Sequence, residues 1–110
     1  MKGASTRFFE ALSQRGYEPL LRQGKGTLRF ELANGKTERW RVAIDNGNVA
    51  VSHGGGAADC VLRADKKLFD SIVTGETNAM VAFLRGAVHF EGNPELMMLF
   101  QRAVRAGATS

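Results

Sequence analysis

Apolar residues along the chain follow two different periods. In TLRFEL, Leu28, Phe30 and Leu32 alternate with polar neighbours; Trp40, Val42 and Ile44 do so in RWRVAI, and Val49 and Val51 in NVAVS. A period of two is that of a strand with one buried face, so three half-buried strands are predicted, sharing one wet sheet face. Asn34-Gly35 and Asn46-Gly47 fall in the two connections. Asn-Gly supplies the positive φ angles of tight hairpins, which makes these strands an antiparallel meander.

Helical spacing brackets the strands. Ser5 or Thr6 caps a predicted helix over Arg7 to Arg15, closed by Gly16, with Phe8, Phe9 and Leu12 on one face. Pro19 suits the first position of a short helical turn that turns Leu20 and Leu21 inward. After the loop HGGGAAD, a fourth strand is predicted from Cys60 to Ala64. Asp65 then caps a helix with Leu68, Phe69, Ile72 and Val73 inward, ended by Gly75. Thr77 or Asn78 opens a short helix carrying Met80, Val81, Phe83 and Leu84 up to Gly86, and a fifth strand spans Ala87 to Glu91. Asn93-Pro94-Glu95 supplies a cap, a proline at the first helical position and an acid at the positive end of the dipole.

The last helix is apolar over too wide an arc. From Leu99 through Ala103, Leu96, Phe100 and Val104 to Met97 the sector spans roughly 160°, against about 100° for an ordinary amphipathic stripe. One flank, Leu96, Leu99 and Ala103, suffices to pack on a sheet. The other, Met97, Phe100 and Val104, requires a second apolar neighbour. Leaving those three side chains in water would forgo roughly 4 to 8 kcal/mol. The first helix, another subunit or a ligand must cover them. Met80, Met97 and Met98 suit an adaptable apolar pocket, and four amphipathic helices crowd the one dry face of a five-stranded sheet.

Size and charge then narrow the classes. At 110 residues, 44% hydrophobic and 24% charged, the chain reads as a single globular domain spanning 1–110. A net charge of +4 gives mild attraction for anions. The outward strand residues Arg29, Glu31, Arg39 and Arg41 are mixed in sign and lack aromatics, so a solvated face is expected and no nucleic acid. One cysteine, Cys60, fits a reducing compartment. With no continuous apolar leader, no membrane-length run and no peroxisomal tripeptide in the closing RAGATS, a cytoplasmic location is expected.

Screening for chemistry yields no catalytic constellation, and a non-enzyme is expected. His53-Gly54-Gly55-Gly56 matches a lipase oxyanion loop superficially, but no G-x-S-x-G elbow accompanies it. The two histidines and single cysteine lack metal-ligand spacing, so neither metal nor cofactor is expected. Gly24-Lys25-Gly26 precedes a strand, whereas phosphate loops follow one. Asp59 beside Cys60 opposes thiolate formation.

The ordered set Asp59 before a strand, Asp65 capping a helix, Gly75, Gly86, then Gly92-Asn93 and an apolar helix from Pro94 resembles the second half of the sterol carrier protein type-two domain. The hairpins of NGKTERWRVAIDNGNVAV are similar as well, extending the resemblance over nearly the whole chain. It implies an α/β fold of α+β type: a five-stranded, mostly antiparallel sheet with four to five helices over one face. It further implies an apolar tunnel between sheet and helices for a fatty acid, fatty acyl-CoA, sterol or isoprenoid, gated by the C-terminal helix. Carried over by position, the tunnel residues are Leu68, Phe69, Ile72, Met80, Phe83 and Leu84, with Met97, Phe100 and Val104, and from the sheet Trp40, Val42 and Val88. Arg85, Arg102 and Arg105 are candidates for a lipid head group. The expected partners are thus a hydrophobic small molecule, with transient membrane contact and a homodimer as further expectations. The alternative is an interaction module of the same fold with a vestigial cavity. The Gly54 to Gly56 loop and the missing peroxisomal signal depart from the family's pattern.

Overall fold

The computed structural model describes the backbone of residues 3–109 and their side chains other than those of 103 and 105–109. Five strands, β1 (Lys25–Asn34), β2 (Lys36–Asp45), β3 (Asn48–His53), β4 (Cys60–Asp65) and β5 (His89–Gly92), form one sheet in the order β3-β2-β1-β4-β5. The meander β1-β2-β3 is antiparallel as its alternation requires; β4 joins β1 in parallel and β5 returns antiparallel to β4. The second hairpin turns on Asn46 (φ 51°) and Gly47 (φ 97°), the paired positive angles of a two-residue turn. A Cβ at Gly47 would also stand 2.5 Å from the Tyr17 ring, so any side chain there would be strained and would have to displace that ring. The first hairpin is tighter at its tip, where Asn34 pairs with Lys36 across Gly35 alone.

Helices α1 (Ala4–Arg15), α2 (Lys66–Val73), α3 (Ala79–Leu84) and α4 (Pro94–Thr109), with a 3₁₀ turn at Pro19–Leu21, accompany the sheet. α1 packs on β3 and α2; α4 packs on the 3₁₀ turn, α2, β1 and β4. α1 starts three residues before the predicted Arg7, and Ser5 does not cap it. Instead the Ser5 amide donates to Asp70 Oδ1 on α2 at 2.9 Å, and the Ser5 hydroxyl donates to the same oxygen. A carboxylate from another element satisfies the helix's first donors. Asn78 and Asn93 do cap their own helices, Asn93 accepting from the Glu95 amide at 2.9 Å. Asp65 holds the cap position of α2 without a side-chain bond.

Three local expectations fail. Leu20 is 42% exposed while Leu21 is buried, because a three-residue turn presents one side chain inward. β5 starts at His89 rather than Ala87, which leaves Val88 buried in the preceding turn and off the sheet. Leu84 is 76% exposed: α3 has one turn and a half, turns Ala82 inward, and so sends the residue two places on outward.

Candidate functional site

Between sheet and helices lies a layer of rings. Phe9 stacks on Trp40 (4.7 Å between centroids) and on Phe69 (5.7 Å), and it contacts Phe30 at 5.1 Å. Phe100 of α4 meets Phe30 at 4.7 Å and Phe69 at 6.0 Å, while Phe8 closes the layer edge-on against Phe100 at 5.8 Å. The flank of α4 that sequence left uncovered is therefore roofed by α1, α2 and β1. Trp40, Val42, Phe69, Ile72, Val88, Met97, Phe100 and Val104 are buried, and Leu68, Met80 and Phe83 half-buried. Leu84 alone of the twelve is exposed. None of the twelve lines the cavities of about 550, 350, 320 and 160 Å³ that described residues bound.

The largest of those cavities opens elsewhere. A groove of about 550 Å³ runs between α1 and the end of α2, lined by Ala4, Arg7, Phe8, Ala11, Gln14, Arg15, Val73 and Thr74. Its volume lies within the range of small-ligand sites. Small residues at Ala4 and Ala11 flank the half-buried Phe8, so the groove floor is the outer edge of the ring layer. Arg7, Gln14 and Arg15 supply the polar rim, and Arg15 also pairs with the buried Glu18 at 3.3 Å. Sequence reasoning missed this site. The signal was present as Ala4, Arg7, Ala11, Gln14 and Arg15, a small and basic stripe at helical spacing beside an apolar face.

Of the head-group candidates, Arg102 lines a cleft of about 160 Å³ with Arg22, Pro19, Leu20, Gln23 and Leu99. Arg85 is exposed at the end of α3. Arg105 lies outside the described side chains.

Ionisable groups near the interior are structural. Glu38 accepts from Trp40 Nε1 at 2.7 Å and from Lys66 Nζ at 2.8 Å. Partial burial pushes its carboxyl up, but those two donors outweigh it and hold the group below the usual range. Burial, with Asp59 adding to it, pushes the Cys60 thiol up to about 12, so it is a poor nucleophile. Among the described residues no three His, Cys, Asp or Glu side chains cluster as metal ligands. Nor, among the described residues, is any helix long and apolar enough to cross a membrane.

A sheet roofed by helices on one side, with an apolar aromatic layer between them and an amphiphilic groove at its edge, is an α+β fold. The chain belongs to the SCP-2 sterol transfer family, which it matches over residues 7–105. Its fold is similar to sterol carrier protein 2 from Yarrowia lipolytica (20% identity, TM-score 0.78, covering 100% of this chain and 97% of that one). It is also similar to sterol carrier protein 2 from Aedes aegypti in complex with palmitate (22% identity, TM-score 0.74, covering 94% and 96%). A third likeness is to the sec-alkylsulfatase Pisa1 from Pseudomonas sp. (18% identity, TM-score 0.71), where 87% of this chain matches 15% of the enzyme. No curated protein sequence matches the chain.

Proposed function

We propose that the chain binds and transfers a hydrophobic small molecule with an anionic head, such as a fatty acid, without catalysing a reaction. The supporting observation is that the α1–α2 groove meets the ring layer at Phe8. An acyl tail lying over Ala11 and Val73 reaches Phe8, and the Arg7 and Arg15 guanidiniums stand at the rim for a carboxylate. A longer or bulkier ligand enters the layer itself when Phe8 and Phe100 separate. That movement makes α4 the gate and brings Phe69, Ile72, Met97 and Val104 into contact with the ligand. The palmitate named with the Aedes aegypti relative supports this ligand class.

Displacement of a fluorescent fatty acid tests the proposal. Binding at micromolar protein is expected, weakened severalfold by the Arg7→Gln, Arg15→Gln pair and abolished by Ala11→Trp, which fills the groove from an exposed position. An absence of binding at that concentration, with Met97→Glu indistinguishable from the unaltered chain, overturns it.

The close ring contacts of the layer favour a second reading, a protein-interaction module whose cavity is vestigial. The match to a small part of the Pisa1 chain supports that reading. Light scattering separates the two: a stable dimer that excludes the fluorescent lipid establishes the second.

A further inference from the structure

The face of the sheet turned away from the helices carries an arrangement that the lipid reading does not use. Arg29 and Arg41 are directly opposite one another across β1 and β2. Like charges at facing positions repel and destabilise a strand pair. In the next row Glu31 stands between Arg39 and Arg63, accepting from Arg63 Nε at 2.7 Å and from Arg39 Nε at 3.3 Å. This carboxylate is engaged on both sides. Arg29 Nε lies 3.2 Å from Glu31 Oε2 but lacks hydrogen-bond geometry, and Arg41 has no carboxylate partner among the described residues. The Nε atoms of Arg29 and Arg41 are both buried without an acceptor from the protein.

What covers the two guanidiniums is the glycine loop. Arg29 Nη1 donates to the Gly56 carbonyl, and Arg41 Nη2 donates to the Ala57 carbonyl at 3.1 Å. Each arginine thus gives one fork nitrogen to a neutral oxygen, while its Nε goes unused. A guanidinium in this position is matched by an oxyanion, which takes two parallel bonds and cancels charge. Two facing guanidiniums that share one multivalent oxyanion turn their repulsion into a binding term. Gly54, Gly55 and Gly56 are exposed; Gly54 and Gly56 hold φ angles of 112° and 122°, and a Cβ at Gly56 would approach the Arg41 guanidinium at 3.9 Å.

We propose that Arg29 and Arg41 form an oxyanion site on the open sheet face, selective for a phosphate-bearing group, with residues 54–57 as a lid whose carbonyls occupy the site when no anion does. The proposal is independent of the groove and of lipid binding.

Titration of the whole protein with inorganic pyrophosphate at low ionic strength, followed in amide ¹H–¹⁵N spectra, tests it. Saturable shifts at Gly54, Gly55, Gly56 and Ala57 are expected in the millimolar range or below. Arg41→Gln should weaken them by about tenfold or more, the loss of a charge-assisted pair, whereas Arg22→Gln in the distant cleft should not. Arg41→Lys keeps the charge but loses the fork; it should fail similarly, and it serves where Arg41→Gln does not fold. Glu31→Gln removes the competing carboxylate and should tighten binding severalfold, a gain that a purely structural role for the arginines would not give. Cosedimentation with phosphatidylcholine vesicles doped with phosphatidic acid, but not with phosphatidylcholine alone, identifies a lipid head group as the source. Pyrophosphate binding without cosedimentation identifies a soluble phosphate ester. Loop shifts that do not saturate, or that persist equally in Arg41→Gln and Arg41→Lys, overturn the proposal.

Discussion

The same strands build two unlike surfaces. On β1, Phe30 points into the ring layer while its neighbours Arg29 and Glu31 point out; on β2, Trp40 points in while Arg39 and Arg41 point out. Inside, cohesion comes from apolar area and ring contacts, which depend little on salt or pH. Outside, it comes from ion pairs around one carboxylate, each worth little and open to screening. The inner face holds the protein together. The outer face costs little to alter and keeps donors available.

The largest effect that sharpens this contrast is Phe9→Ala. Phe9 is fully buried and contacts Trp40, Phe69, Phe30 and Phe8, so its truncation removes the middle of the layer. A loss of about 3–5 kcal/mol is expected in urea unfolding, a large part of a small domain's stability. Arg39→Ala on the opposite face should stay within about 0.5 kcal/mol. Comparable losses at the two positions would break the contrast.

Next in size is Gly92→Ala, which removes no apolar area from either face. Gly92 has φ 110°, and a Cβ there would stand 2.2 Å from the Asp59 carbonyl oxygen. Asp59 joins three elements: its Oδ2 accepts from the Thr27 amide, its amide donates to the Thr27 carbonyl, and its carbonyl accepts from the Asn93 amide. The conformation alone costs about 1–3 kcal/mol and the clash adds to it. The expected signature in hydrogen exchange is loss of protection at β5 and the start of α4, with the ring layer retained.

These positions show why part of the molecule was legible beforehand. The meander follows from alternation and Asn-Gly turns, both local properties, and the family pattern places β4, α2 and α4 by ordered caps and glycines. The start of α1 was not legible because its donors are satisfied by Asp70, a residue 65 places away. Nor were the ring contacts among Phe8, Phe9, Phe30, Trp40, Phe69 and Phe100, since one apolar pattern is compatible with many packings. The facing of Arg29 and Arg41 could not have been counted from the Asn34-Gly35 turn: a two-residue loop there sets Arg29 opposite Trp40, whereas the hairpin turns on Gly35 alone. Nor could the draping of residues 54–57 across them, because a glycine loop has no pattern to read.

Acid provides the smallest effect and the finest comparison. Glu31 on the outer face is held below the ordinary 4.5 chiefly by its hydrogen bond from Arg63, with Arg39 and the nearby positive charges adding to it. Glu38, at the border of the ring layer, is also depressed, its Lys66 and Trp40 donors prevailing over burial. A folded value below the unfolded one means that the carboxylate's contribution is fully present above the unfolded value. It is lost as pH falls from about 4.5 through the folded value. The urea midpoint should therefore drop across that window, and Glu31→Gln and Glu38→Gln should each flatten the drop. Salt distinguishes the faces. Every partner of Glu31 is a guanidinium, so high salt should remove most of the difference between Glu31→Gln and the unaltered chain. Glu38 keeps a neutral donor, the Trp40 indole at 2.7 Å, which ions do not screen. Its share of the acid slope should persist at high salt, and equal loss of both slopes would mean that the border of the ring layer behaves as open surface.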